Sequence, residues 1–238
     1  MDFTADIANL LLFLNQFKEY DDKKLSLLVE FDSPAKNRLS LRRIKIAESY
    51  KGKEYYSFLC EQGKVQLKTV QLNERNKVKE ARSFPKFDYE ELRIQDFESS
   101  SLYQILSSYF LFCVFKNNVY LGSFSWKMPK EDLYGNVKDV WLRTKDVIQS
   151  GNIVKEQGEK SKLNFPSEAE TSVCHVRPHG RNALDFSKLP IKDIKTGLEY
   201  LPKQSFWLNH SYLNQIIDDN KKLLMRKQDT KEQKQDGN

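Results

Sequence analysis

Two short constellations in this sequence carry residue types that could do chemistry. In the first, Gln66 and Lys68 stand two apart within residues 64–70, where Val65, Leu67 and Thr69 alternate with Gln66, Lys68 and Val70. That alternation predicts a strand with two unlike faces, from one of which Gln66 and Lys68 project together. A lysine so placed can contact a phosphate; the plain alternative is an ordinary polar strand face. In the second, Arg177, Pro178, His179 and Arg181 form a short basic loop directly after a predicted strand at 171–177. Arginine suits base reading because its planar fork can donate two hydrogen bonds to guanine O6 and N7, whereas Lys and Arg at phosphates give affinity without sequence information. A solvated basic loop is the alternative. His175, by the alternation of its strand, reads as a packed or surface residue. His175, His179 and His210 lack nearby partners, and Cys60, Cys113 and Cys174 are odd in number and far apart, so neither a metal site nor a disulfide framework is expected. Dinucleotide, Walker, H-E-x-x-H and paired C-x-x-C signatures are absent, which excludes the common nucleotide and zinc chemistries.

The elements that must hold these groups follow from periodicity. Ile7, Leu10, Leu11, Leu14 and Phe17 recur at helical spacing and predict a first helix, capped by Thr4. A basic segment, 37–53, precedes the 64–70 strand. Residues 102–108 read as a helix running into an apolar strand, 109–115, and Asn117-Asn118 turns the chain into 119–126 as a hairpin. Pro129, Glu131 and Asp132 open a helix that carries Val137, Val140, Trp141, Thr144, Val147 and Ile148 on one side and ends at Gly151. Residues 158–167 read as a polar loop and 178–184 as an irregular basic segment. A last strand, 205–208, precedes a helix with Tyr212, Leu213, Ile216 and Ile217 on its apolar side. Interspersed helices and consecutive strands predict an α/β (mixed α+β) fold, a mixed sheet flanked by helices.

The 238 residues, 39% hydrophobic and 12% aromatic, suffice for one sizeable core, so one domain over 1–225 is expected, or two tightly packed lobes. Residues 226–238 are nearly all charge and Gln, and are expected to be a disordered tail. Lys and Arg number 39 against 33 Asp and Glu, a net charge of +6 that mildly favours polyanions. The longest apolar run, 109–115, is far shorter than the roughly 20 residues of a membrane-spanning helix. With Asp2 and Asp6 and no basic n-region, the N-terminus does not read as an export signal. A soluble chain in a reducing cytoplasm is expected.

The segment Gly63-Lys64-Val65-Gln66-Leu67-Lys68-Thr69-Val70 resembles the G-[VI]-E-[LV]-K-T stretch of the MutH-like, GATC-specific type II restriction endonuclease family, which carries a D…E-x-K metal-dependent nuclease centre. Two further blocks agree in order and spacing. Phe97-Glu98-Ser99-Ser100-Ser101 precedes a helix and strand, and Val176-Arg177-Pro178-His179 with the later Ser205-Phe206-Trp207-Leu208 is similar to the family's R-P-K and G-F-Y-L-K segments. The resemblance runs from about residue 37 to 217.

It implies a restriction-endonuclease-like (MutH-type) fold, a bacterial cytoplasmic setting and duplex DNA containing GATC as partner. In an E-x-K centre the carboxylate and an earlier Asp hold Mg²⁺ while the lysine orients or activates the attacking water. Here Lys68 remains, but Gln66 stands at the carboxylate position, where its neutral amide is a poor Mg²⁺ ligand, and Leu59 at that of the Asp. The resemblance therefore implies no catalysis and no cofactor on this chain, with Leu59, Gln66 and Lys68 as remnant positions. Mg²⁺ belongs to the active half of a parent enzyme, and the partner is a catalytic MutH-like half or a second copy. The DNA-binding residues carried over are Arg177, Pro178, His179, Arg181, Trp207 and Lys68. His179 departs from a family lysine, Trp207 from a tyrosine, and Asn209 and His210 from two lysines, which weakens phosphate attraction there. Two alternatives stay open: an active Mg²⁺-dependent nuclease rearranged around Glu54 or Glu61, and a dimerisation or protein-interaction module that touches no DNA.

Overall fold

A computed structural model describes residues 3–31, 37–156, 162–182 and 185–225. The chain begins with α1 (Thr4–Asn15), α2 (Asp22–Leu28), α3 (Arg38–Ser49) and α4 (Lys53–Glu61). It continues through β1 (Val65–Leu72), β2 (Arg82–Lys86), α5 (Tyr89–Ile94), α6 (Ser101–Leu106), β3 (Tyr109–Lys116), β4 (Val119–Lys127) and α7 (Lys138–Ser150). The remainder is β5 (Val154–Glu156), β6 (Lys162–Leu163), β7 (Cys174–Pro178), β8 (Phe186–Lys188), β9 (Tyr200–Pro202), β10 (Gln204–Leu208), α8 (His210–Asp219) and α9 (Lys221–Met225). The class is mixed α/β, as the sequence predicts.

Strands β5-β6 and β8-β9 form two-stranded sheets, and the other six described strands form two three-stranded ones. In the first, β1 pairs in parallel with β3, and β3 pairs antiparallel with β4, so β1 lies at an edge. Asn117 and Asn118 both adopt left-handed φ, 51° and 63°, which is the backbone a two-residue primed hairpin turn demands. This sheet separates two apolar clusters. Phe110, Phe112, Val114, Val70 and Leu72 pack towards α6, α7, α8 and the second sheet, while Leu111, Cys113, Phe115 and Val65 pack towards α1, α3 and α4. The ladder shifts register between Val114 and Phe115, and Gly122, opposite Val114, takes φ +134°. A Cβ there would meet the Lys18 Cε at 2.5 Å, because Asn15 at the end of α1 grips the Ser123 backbone in both directions, at 2.7 and 3.0 Å. The second sheet is antiparallel in the order β2-β10-β7, with Phe84, Phe206, Leu208, Cys174 and Val176 on its buried face.

Several sequence expectations need adjustment. Thr4 is the first residue of α1 rather than its cap; the cap is Phe3, which packs edge-on against Phe58 with centroids 5.6 Å apart. The basic segment 37–53 contains a helix, α3, whose buried face carries Arg42 and Arg43 between Leu39 and Ile46. The helix before Gly151 begins with a π-helical stretch, Asp132–Val137, and ends on Gly151 in the left-handed conformation. The loop expected at 158–167 contains β6, which forms a short hairpin with β5. The strand expected at 171–177 begins three residues later and runs on through Pro178; a proline is admissible there because β7 is an edge strand. The tail after Met225, and Ala183 and Leu184 of the irregular segment, lie outside the described residues.

Candidate functional site

The first constellation lies where α4 turns into β1. Gly63 makes that junction possible, since a Cβ would approach the Leu59 carbonyl oxygen to 2.7 Å. Leu59 itself is on α4, 0% exposed and packed in the apolar cluster beneath the sheet. Gln66 and Lys68 are half-buried and alternate with Val65 and Thr69 along β1, opposite Phe110 and Phe112 of β3. Thr69 is the node of the site. Its hydroxyl meets Ser40 and receives a hydrogen bond from Arg43 of α3, and its carbonyl accepts one from Arg82 at the start of β2.

The local charge is positive. Burial holds the Lys68 ammonium below its ordinary value, and the charge of Arg82 adds to this. Burial and the neighbouring Arg43 likewise lower Arg82, with Glu80 partly offsetting them. Among the described residues no carboxylate comes within ion-pair distance of Lys68, Arg82 or Arg43, and the Arg43 Nε and Nη1 atoms are buried without a hydrogen-bond partner. Glu54 and Glu61 of α4 are exposed. Among the described residues no group of three or more His, Cys, Asp or Glu side chains is arranged to hold a metal ion. The donor set of Gln66, a buried leucine and three cations does not fit Mg²⁺, which needs anionic oxygens, so no metal-dependent step can be assigned to these side chains.

The second constellation lies on the outward face of the β2-β10-β7 sheet. Arg177 of β7 is exposed, and its guanidinium lies over the Trp207 ring, 4.0 Å from the centroid. The His179 ring meets the same indole edge-on, centroids 5.0 Å apart, and its Nδ1 is 2.9 Å from Ser205 Oγ. Burial, then Lys86, lower His179, so it is neutral at pH 7 and adds no charge to the segment expected to be basic. Trp207 is half-buried, with its Nε1 buried and unpartnered. His175 is buried, with Nδ1 2.7 Å from Asn209 Oδ1; because the Asn209 amide donates to the Thr171 carbonyl at 2.8 Å, the imidazole proton belongs on Nδ1.

Arg181 pairs with an acidic residue instead of the indole. It is 84% exposed and belongs to a cluster around Asp185, where Lys86 lies at 2.6 Å, Lys203 at 2.9 Å and the Arg181 Nε at 3.7 Å. Hydrogen bonds from Lys86, the Arg181 amide and Lys203 hold the Asp185 carboxyl far below the usual carboxylate range. The structure thus brings Arg177, His179 and Trp207 together, with Arg181 paired to Asp185 and Pro178 exposed at the strand end. Strand β2 links the two constellations: Arg82 reaches Thr69 of β1, and the adjacent Ser83 pairs with Trp207. Sequence reasoning missed Arg43, Arg82 and Asp185. For Arg82 the signal was the hairpin-like return of residues 73–86 along β1, where the Lys79 amide donates to the Gln71 carbonyl at 2.9 Å.

This fold and site define a restriction-endonuclease-like mixed α/β chain. The chain is 31% identical over 191 residues to the type II restriction enzyme Sau3AI of Staphylococcus aureus, an alignment covering 67% of this chain and 39% of that enzyme, and it belongs with the Sau3AI-related restriction enzymes. It thus matches less than half the length of that relative. No family model matches the sequence.

Proposed function

We propose that this chain binds duplex DNA at GATC sequences without cutting it, as the effector half of a bacterial type II restriction endonuclease. The observation that carries the reading is the pairing of an Arg177–Trp207 stack on an exposed strand face with a remnant centre whose carboxylate positions are Gln66 and Leu59. Stacking on the indole fixes the guanidinium plane while leaving its edge donors directed outward, the geometry needed for two parallel hydrogen bonds to a guanine edge. Lys68 and Arg82 supply charge for the phosphate backbone along the strand that joins the two groups. Mg²⁺ chemistry then belongs to a catalytic MutH-like half, within the same parent enzyme or on a second copy. Relatedness to Sau3AI supports a restriction-enzyme role. Among the described residues no helix is long and apolar enough to cross a membrane, which agrees with a DNA partner.

The test is binding of GATC and scrambled duplexes by fluorescence anisotropy, with plasmid cleavage followed in Mg²⁺. The expected result is tighter GATC binding that weakens as salt rises, and no nicking. Equal affinity for both duplexes removes the specificity, and Mg²⁺-dependent nicking that disappears in Lys68→Ala removes the non-catalytic reading.

A further inference from the structure

We propose that the remnant centre is an anion seat: Lys68 and Arg82, with Arg43 buried behind them, hold one backbone phosphate of duplex DNA directly, without a divalent cation. The inference rests on the DNA-binding reading above and assigns a chemistry to its second constellation.

The charge balance carries the argument. Elsewhere among the described residues, basic groups gather around carboxylates. Arg42 and Arg38 share Asp22, and Lys86, Lys203 and Arg181 share Asp185. At Thr69, by contrast, Arg43 bonds the hydroxyl and Arg82 the carbonyl, with Lys68 one residue along on the other face of β1 and subject to the charge of Arg82, and no carboxylate stands at ion-pair distance of the three among the described residues; Glu80 acts on Arg82 only from further off. An unpaired charge away from water is strongly unfavourable, and gathering three multiplies the penalty. Such an arrangement persists when an anion completes it.

The donors suit a phosphate. A guanidinium fork beside an ammonium presents several N–H groups that phosphate oxygens accept in short, charge-assisted bonds. Arg82 and Lys68 are half-buried and so still reachable, whereas Arg43 is 2% exposed and acts as fixed positive charge through Thr69. The seat adjoins the second sheet at Arg82, which pairs with Leu208 of β10, one position along from the Ser83–Trp207 pair that carries Arg177 on the other face. In a metal centre the cation bridges carboxylates and phosphate; here the arginines supply the positive charge and the carboxylates become unnecessary.

The experiment uses the full chain and a GATC duplex. Affinity is first measured at constant ionic strength in EDTA and in Mg²⁺. The expected result is binding in EDTA at least as tight as in Mg²⁺; a tenfold or greater loss in EDTA overturns the proposal. Single methylphosphonates, which remove one phosphate charge at a time, are then scanned along the duplex with the wild type and Lys68→Ala. One position should weaken wild-type binding about tenfold and Lys68→Ala hardly at all, and the salt slope of Lys68→Ala should fall by about 1. Because Arg82 also holds the Thr69 carbonyl, Arg82→Lys, which keeps the charge, accompanies Arg82→Gln, and circular dichroism checks that both fold. If the chain binds GATC duplex but no methylphosphonate position couples to Lys68, the anion seat is wrong and the function stands. If no duplex is bound under any condition, both fall.

Discussion

Replacing Arg43 by methionine should stabilise the protein. Arg43 is 2% exposed, and of its guanidinium nitrogens Nε and Nη1 are buried without partners while Nη2 bonds the Thr69 hydroxyl. Each unsatisfied buried N–H group costs about 1–3 kcal/mol, and the desolvated charge adds several more. Against this stand one charge-assisted hydrogen bond, about 1.5–3 kcal/mol, and the Phe115 ring 5.5 Å from the guanidinium, about 0.5–2 kcal/mol. In Arg43→Met, Thr69 keeps Ser40 as partner, so no acceptor is orphaned, and the methionine chain fills the space next to Phe115 and Ile46. The net gain is about 1–3 kcal/mol, within the range seen when buried ions give way to apolar groups of similar size. For a chain of this size each kcal/mol raises Tm by about 2–4 °C. Urea unfolding at unchanged slope measures it, with Arg42→Met as the contrast. Arg42 bonds Asp22 and the Phe31 carbonyl, so its loss should cost about 3 kcal/mol. If Arg43→Met loses stability as Arg42→Met does, the guanidinium is partnered and the charge argument for the remnant centre fails.

Arg177→Ala should lower discrimination between GATC and scrambled duplex by about 1–3 kcal/mol and shift Trp207 emission to the red as the indole is uncovered; unchanged emission contradicts the stack, and equal loss on both duplexes makes Arg177 a phosphate contact. Gln66→Glu should fold yet give no cleavage in Mg²⁺, while the double change with Leu59→Asp should fail to fold by circular dichroism, because it puts a carboxylate at a fully buried site where even Leu→Ala costs about 2–5 kcal/mol; a folded, Mg²⁺-binding double variant would show that the position opens to solvent. The Asp185 carboxyl is depressed, so its contribution is present above the unfolded value near about 3.9 and is lost as pH falls through the folded one. Protection of the Arg181 amide, taken relative to its intrinsic exchange rate, should therefore fall in acid, and Asp185→Asn should show that loss already at pH 7; identical protection in the two proteins at pH 7 would mean that Asp185 does not pin the segment.

Much of the framework follows from local pattern alone. The stripe of α8, the apolar run of β3, the paired asparagines of the hairpin and the Gly151 stop each depend on neighbours within a few residues, and the structure has all of them where the spacing puts them. Local alternation also put Gln66 and Lys68 on one face and marked His175 as a packed or surface residue, and the structure buries it against Asn209. What sequence could not supply was the company these residues keep. Helix α3 was illegible because two positions of its buried face are arginines, whose acceptability depends on Asp22 in one case and on Thr69 in the other, 20 and 26 residues away. The partner of Arg181 was decided by Asp185, four residues on, and the neutrality of His179 by its burial against Trp207 and Ser205. Arg82 entered the remnant centre only because the chain folds back along the open edge of β1, bringing a cation to a carbonyl 13 residues earlier. Charge is long-ranged and indifferent to sequence order, so tertiary structure alone determined where positive groups meet without a carboxylate.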